Sequence, residues 1–330
     1  MTIQPSVLAV VAAVGLDWLI GDPLWLPHPV VVMGWWIQTL RARLESWAGE
    51  RPPQLQFAGL LITLILISGT ALAGWFVERL TQQAPHLGWP LLVIALASAL
   101  AGRSLRQSVM AVLKALPPNA ANELTSARER LSRIVGRDVH QLDETGIIRA
   151  CAETASENAV DGIFAPLAWM AAGCFLWALN SAAPGPLALA WAFKASSTLD
   201  SMLGYREGRL RWLGTAGARL DDVLTWLPCR LVMGTLPLVS RPWWQWWSLV
   251  LAAERDGASD PSPNAGRSEA IYAHCAGVRL GGRNRYSRGW IEKPVLAADQ
   301  PPATKTSVER ILRLNLYLQG LWMLILLVLG

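Results

Sequence analysis

Charge is scarce in this chain. Of its 330 residues only 16% are Asp, Glu, Lys or Arg, and 52% are hydrophobic, whereas about a quarter of a soluble globular domain is charged. The shortage argues against a water-soluble globule and for a bilayer as the solvent. Cysteine is also sparse. Cys151, Cys174, Cys229 and Cys275 have no C-x-x-C spacing and lie in or beside apolar segments, so neither a disulfide framework nor a zinc site is expected. No G-x-x-x-x-G-K-S/T loop and no G-x-G-x-x-G turn occurs, so any nucleotide is bound by another arrangement. The absence of H-E-x-x-H and G-x-S-x-G weakens protease and hydrolase readings. The net charge of +5 comes without an aromatic-basic RNA motif, and no nucleic-acid partner is expected. There is no internal repeat or low-complexity tract.

What is present is apolar length. Residues Pro52 to Val77 carry no charge, and roughly 20 apolar residues cross a hydrocarbon core of about 30 Å. Further candidate spans are Leu87 to about Leu116, Gly162 to about Asn180, Pro186 to Leu203, Asp222 to Ser240, and Ile311 to Gly330. The N-terminal run PSVLAVVAAVGLDWLIGDP lacks a basic n-region and a small-residue cleavage site, and is read as a retained first helix. Arg241 to Ala253, RPWWQWWSLVLAA, is too short to cross and fits an interfacial or re-entrant helix. NSAAPGP is a tight turn between two spans, because Pro and Gly cannot continue a helix there.

The expected fold is therefore all-α: a polytopic integral membrane helix bundle with polar cytoplasmic loops and short interfacial or re-entrant helices. One membrane-embedded catalytic domain covers 1–330, with long cytoplasmic loops at about 103–161 and 254–310. Basic residues choose the side. Arg41, Arg43 and Arg51, then Arg103 to Arg149, then Arg206, Arg209, Arg211 and Arg219 occupy odd-numbered loops. The N-terminus is expected outside and the polar clusters at the cytoplasmic face of the inner membrane.

Five clusters carry the chemistry. In ETASENAVDG, Glu153, Glu157 and Asp161 are spaced i, i+4, i+8, and like charges so placed on a helix repel by about 0.2–0.5 kcal/mol per pair. A divalent cation with oxygen ligands would compensate, or the run is a solvated acidic helix start. In KASSTLDSMLGYREG, Lys194, Ser197, Thr198, Ser201 and Tyr205 fall on one helical face with Asp200 beside it. Lys194 there pairs with something or snorkels to the interface. Asp221 and Asp222 open a span and read first as a cap. Asn264 and Ser268 are one turn apart with Glu269 adjacent. Gly281, Gly282 and Arg283 follow in RLGGRNRY, where backbone amides and arginines suit a phosphate or simply anchor a surface loop. Asp17 and Asp22 end the first helix, and Pro23, Pro27 and Pro29 force an irregular segment around His28.

Taken in order, GDP…PHPVVVMG, AGRSLRQ, IVGRDVHQLDE, ETASENAVDGIFAPL, AFKASSTLDSMLGY, ARLDDVLTWLPCRL, SPNAGRSEA and RLGGRNRY resemble the adenosylcobinamide-phosphate synthase family of cobalamin biosynthesis. The resemblance runs from about Leu16 to Arg313, with departures at Val31, Ala159 and Asp260. It implies an integral membrane enzyme that joins adenosylcobyric acid, a corrinoid, to an amino-alcohol phosphate such as (R)-1-aminopropan-2-yl phosphate, using ATP and Mg²⁺.

On that resemblance Glu153, Glu157 and Asp161, with Asp222, are assigned to Mg²⁺ and the amine, and Lys194 and Arg206 to phosphate. Asn264, Ser268, Gly281, Gly282 and Arg283 are assigned to the nucleotide or the amino-alcohol phosphate. Asp22 and His28 orient the substrate carboxylate or accept a proton, and Asn158, Ser197, Asp200, Tyr205 and Glu269 complete the substrate-binding set. A homo-oligomer is compatible with the sequence. The competing class is a non-catalytic transporter or sensor for an anionic ligand, which would more naturally carry its ionisable residues at mid-span.

Overall fold

The computed structural model describes residues 3–22, 28–117, 124–240, 242–286 and 289–330. The irregular segment expected at Pro23 to Pro27 lies outside them. In chain order the helices are α1 (Pro5–Leu19), α2 (Pro29–Ala48), α3 (Pro52–Gln83), α4 (Pro85–Ala97), α5 (Gly102–Ala115), α6 (Thr125–Ser132), α7 (Glu144–Ala159) and α8 (Ala165–Leu179). They continue with α9 (Pro186–Leu203), α10 (Leu210–Leu213), α11 (Thr215–Ser240), α12 (Trp246–Gly257), α13 (Ala265–Ala276) and α14 (Lys305–Leu329). Between α13 and α14 lies a hairpin of β1 (Leu280–Tyr286) and β2 (Gly289–Leu296).

Among the described residues, five helical segments are long and apolar enough to cross a membrane: Pro52–Gln83, Pro85–Ala115, Glu144–Leu179, Thr215–Ser240 and Lys305–Leu329. The chain is a multi-pass, all-α membrane protein apart from the hairpin. Two expected spans fall outside this set. Helix α9 is interrupted by Lys194, Asp200 and a run of hydroxyl residues at 196–198, and α1 has 15 residues, about 22 Å at 1.5 Å per residue. Helix α12 has 12 residues, about 18 Å, too short to cross, as expected. The exposed Trp243, Trp244 and Trp247 lie at its start.

The chain packs as two compact units. Unit 1 comprises Met1–Ala101, Ala165–Thr225 and Met323–Gly330; unit 2 comprises Gly102–Phe164 and Trp226–Trp322. Unit 1 is built around α3. Leu55, Ala58, Ile62 and Leu66 recur at helical spacing and bury against Met33 and Ile37 of α2, Leu199 and Leu203 of α9, and Leu213 of α10. The other side of α3 exposes Phe57, Leu60, Leu64, Leu72 and Phe76. A helix that is apolar all round has this form when one face meets protein and the other meets hydrocarbon.

A buried carboxylate holds unit 1 together. Glu78, 0% exposed near the end of α3, accepts hydrogen bonds from the backbone N–H groups of Gly185 (2.8 Å), Leu187 (2.7 Å) and Ala188 (3.0 Å). These are donors at the start of α9 that have no partner within the helix, and their partial positive charge favours an anion. Close packing makes the reach feasible: a Cβ on Gly74 would come within 2.8 Å of Ala188 backbone, and one on Gly185 within 2.5 Å of the Trp177 ring.

In unit 2, α7 packs against α5, α6, α13 and β1, and α12 packs on α13 and β2. Its core includes Val109, Val112, Leu131, Ile147, Cys151, Ala155, Ile271 and Tyr272. Immediately after α7 the chain widens into a π-helical turn, Val160–Phe164. Pro166 follows it and has no N–H to give to the carbonyl four residues back, at Gly162.

Candidate active site

Helix α7 is the frame of the site. Asp143 caps it, its Oδ1 accepting from the Gly146 N–H at 2.7 Å. One turn apart, Arg149 and Glu153 both reach β1. Arg149 donates to the Gly281 carbonyl (2.9 Å), the Arg283 carbonyl (2.9 Å) and Asn284 Oδ1 (3.0 Å). Glu153 Oε1 accepts from the Gly281 N–H at 3.0 Å, and its Oε2 accepts from Arg137 Nη2 at 2.5 Å. The hairpin is thereby stapled to the helix by Arg149 and Glu153, and Arg137, from the segment before α7, pairs with Glu153 away from water, their side chains being 7% and 6% exposed.

Gly281 is required at that staple. Its φ is +78°, it lies at a β-bulge, and a Cβ would sit 1.9 Å from the Pro294 carbonyl oxygen. Expected as a flexible loop offering amides to phosphate, Gly281 and Gly282 are instead strand residues, and the Gly281 amide is already taken by Glu153. Arg283 is exposed and stacks over Trp290, 4.4 Å from the ring centroid.

Beside this staple opens a cleft of about 260 Å³. Gly136, Arg137, Glu153, Glu157, Asn158, Glu269, Tyr286 and Lys293 are among its walls. Lys293 Nζ lies 3.2 Å from Glu269 Oε1 and 4.0 Å from Asp260 Oδ2. Burial by itself would lower the Lys293 pKa, but the Glu269, Glu157 and Asp260 carboxylates outweigh it and hold the ammonium above the usual lysine range. A larger cavity of about 550 Å³ in unit 1 is walled by Val32, Met33, Trp36, Ile65, Leu66 and Trp191 among others and has no charged wall residue. Polar chemistry belongs to the smaller cleft.

The structure brings Glu153, Glu157, Asn158 and Glu269 to one cleft. Asp161, expected on the same helical face, is not on its wall, because eight residues of α-helix overshoot two turns and the π-helical turn begins at Val160. The three carboxylates do not form a cage for Mg²⁺, since both Glu153 oxygens are engaged. Among the described residues no group of three or more His, Cys, Asp or Glu is placed to hold a metal.

Asn264 and Ser268 are absorbed in building α13. Asn264 Oδ1 accepts from Arg230 Nη1 at 2.7 Å, and Ser268 Oγ donates to the Ala265 carbonyl at 2.9 Å.

The remaining predicted residues are in unit 1. His28 caps α2, its Nδ1 accepting from the Val30 N–H at 3.3 Å, and its Nε2 lies 3.2 Å from Asp22. Lys194, Ser197 and Asp200 are half-buried on α9, while Tyr205 and Arg206 are exposed beyond its last residue, Leu203. Tyr205 is therefore not on the helical face expected for it. Asp222, read as opening a span, sits well inside α11, which starts at Thr215.

Residues 10–315 match the family described as CobD/Cbib protein. The chain belongs to the CobD/CbiB family. Among curated relatives of this family, it is 36% identical over 319 residues to the cobalamin biosynthesis protein CobD of Synechocystis sp., covering 94% of this chain and 90% of that protein. The CobD of Pelobacter propionicus is 40% identical over 291 residues, 86% of this chain and 83% of that one. The cobalamin biosynthesis protein CbiB of Salmonella typhimurium is 35% identical over 314 residues, 94% and 92%. No solved structure matches.

Several residues of this CobD/CbiB site escaped the sequence reading. Arg137 stands inside the quoted stretch IVGRDVHQLDE, but nothing local distinguishes it from the other arginines of that loop. Lys293 and Tyr286 come from a hairpin that was read as a loop, and only strand pairing turns them toward Glu269 and Glu157. Outside the site, the structural carboxylate Glu78 of unit 1 had a signal, closing a long uncharged run, but its partner is a helix start 107 residues away.

Proposed function

We propose that this CobD/CbiB chain is a cobalamin-biosynthesis enzyme, an ATP-dependent amide synthase of the inner membrane whose cleft faces the cytoplasm. It joins adenosylcobyric acid to an amino-alcohol phosphate, giving adenosylcobinamide phosphate. The observation that carries this reading is the cleft beside α7, where two cations, Arg137 and Lys293, and three carboxylates, Glu153, Glu157 and Glu269, meet in a small, largely buried space. Such a set suits a reaction between charged partners, which depends mainly on positioning and charge neutralisation.

Chemically, a carboxylate oxygen of the corrinoid attacks the γ-phosphorus of ATP, the bond to ADP breaks, and an acyl phosphate forms. The amine nitrogen then attacks the acyl carbon, the bond to phosphate breaks, and inorganic phosphate leaves as the amide forms. One net proton is released from the ammonium. ATP enters as a co-substrate with Mg²⁺ as its counter-ion. Glu153, Glu157 and Asp161 do not fit a protein-built metal cage, and no step is assigned to the ion.

The test is synthesis by the purified full chain in nanodiscs. With adenosylcobyric acid, (R)-1-aminopropan-2-yl phosphate, ATP and Mg²⁺, mass spectrometry should detect the amide in step with ADP. Uptake of corrinoid or amino-alcohol phosphate into vesicles without ATP consumption would overturn the reading in favour of a transporter.

A further inference from the structure

The cleft has two chemically distinct demands. On one side, Arg137 is 7% exposed and uses Nη2 for Glu153, yet its buried Nε–H has no hydrogen-bond partner among the described residues. A buried guanidinium donor left over in a cavity wall calls for an acceptor, and a planar guanidinium matches phosphate or carboxylate oxygens. Lys293 also lines the cleft, with three N–H donors, of which Glu269 engages one at 3.2 Å. On the other side, the ion pairs Arg137–Glu153 and Lys293–Glu269 account for two of the three carboxylates. Glu157 is the third, and it leaves the walls with a formal charge of −1, two cations against three carboxylates. The cleft therefore asks for an anionic group and a cationic group together.

Size narrows the ligand further. At about 260 Å³ the cleft is smaller than the roughly 300–1,000 Å³ of pockets that enclose drug-sized ligands. A nucleotide or a corrinoid exceeds it.

We infer that this cleft is the subsite for a small zwitterion, an ammonium and a phosphate on a short carbon chain, with Glu157 holding the ammonium and Arg137 Nε and Lys293 the phosphate. The inference rests on the proposed amide synthesis, of which this ligand is the amine partner, and it adds that ATP and the corrinoid bind elsewhere. Tyr286 and Asn158, on the same walls, flank the ligand.

Isothermal titration of the full chain in nanodiscs tests the assignment without turnover. The probes are (R)-1-aminopropan-2-yl phosphate, propan-2-yl phosphate, which lacks the amine, and a non-hydrolysable ATP analogue. Glu157→Gln is isosteric, and its thermal melt checks folding. It is expected to weaken the zwitterion by roughly tenfold or more, as loss of a charge-assisted contact does, while changing the amine-free phosphate and the ATP analogue less than about twofold. Arg137→Lys keeps the charge facing Glu153 but removes the Nε–H, and should weaken both phosphates while sparing the ATP analogue.

Competition between the ATP analogue and the zwitterion, or equal weakening of both phosphates by Glu157→Gln, would overturn the assignment. If the wild-type chain makes the amide but these patterns fail, only the subsite is wrong. If it makes no amide at all, the enclosing reading fails instead.

Discussion

Glu78 shows how much one side chain decides. Its carboxylate answers three backbone donors at the start of α9 from a position fully sealed in unit 1. Glu78→Ala should cost roughly 2 kcal/mol or more, since an N-terminal cap and charge-assisted bonds are lost together. Glu78→Gln, which keeps one acceptor oxygen, should cost less; thermal melts of the two variants in detergent give the order. Arg137 and Glu153 are the corresponding pair in unit 2, and Arg137→Ala would leave the buried Glu153 with the Gly281 N–H and the more distant Arg149 Nε at 3.7 Å. A destabilisation of about 3–5 kcal/mol is expected for breaking such a pair from one side, read by the same melts. Arg137→Lys should retain most of the stability, because the charge remains.

Among the elements, the hairpin β1–β2 is the one on which the cleft depends. Gly281→Ala would force a Cβ against the Pro294 carbonyl at a φ of +78°, a strain of about 1–3 kcal/mol. The pairing of β1 with β2 and the Glu153–Gly281 bond should loosen together, which faster proteolysis of the hairpin would report.

The other end of β2 is pinned by Asp256 of α12, whose Oδ2 lies 2.8 Å from His274 Nε2 and accepts from the Ala297 N–H at 3.1 Å. Burial pushes the Asp256 carboxyl up, but the Ala297 N–H, His274 and Arg255 together hold it below the ordinary carboxylate value. With a depressed folded pKa, the stabilisation is complete above the unfolded value near pH 4 and is lost as pH falls through the folded value. Hydrogen-exchange protection at the α12–β2 contact, taken relative to the intrinsic exchange rate at each pH, should therefore fall on acidification below about pH 4. In Asp256→Asn that loss of protection should be absent, because no carboxylate titrates there.

At the scale of the whole molecule, five long apolar helices and their exposed Phe, Leu, Ile and Val side chains predict an integral membrane protein. The chain should remain in the membrane pellet through alkaline carbonate extraction and require detergent for release. Single cysteines placed near Asn158 and Ser181 test the orientation with membrane-impermeant thiol reagents. Labelling of the first only from the cytoplasmic side, and of the second only from the opposite side, is the expected result.

The sequence by itself determined the solvent, the helix content and the family. Charge-free runs such as 52–77 can satisfy their backbone only as helices in hydrocarbon, and the eight ordered stretches carry the family from end to end. It also marked Glu153 and Glu157, with Asp161, in one chemically loaded cluster and Glu269, with Asn264 and Ser268, in another. What tertiary structure decided is which of their partners are near. Gly281 and Lys293 reach Glu153 and Glu269 only through the packing of α7 on β1 and of α13 on both strands, while Arg137 reaches Glu153 from the segment before α7. Tertiary contacts also give both Glu153 oxygens buried partners, Arg137 and the Gly281 N–H, and tie Asn264 to Arg230 of α11. A π-helical turn, invisible to a 3.6-residue period, helped take Asp161 off the face it was expected to share. Periodicity reports which residues lie along one element; which element stands opposite is fixed by long-range contacts that no local pattern encodes.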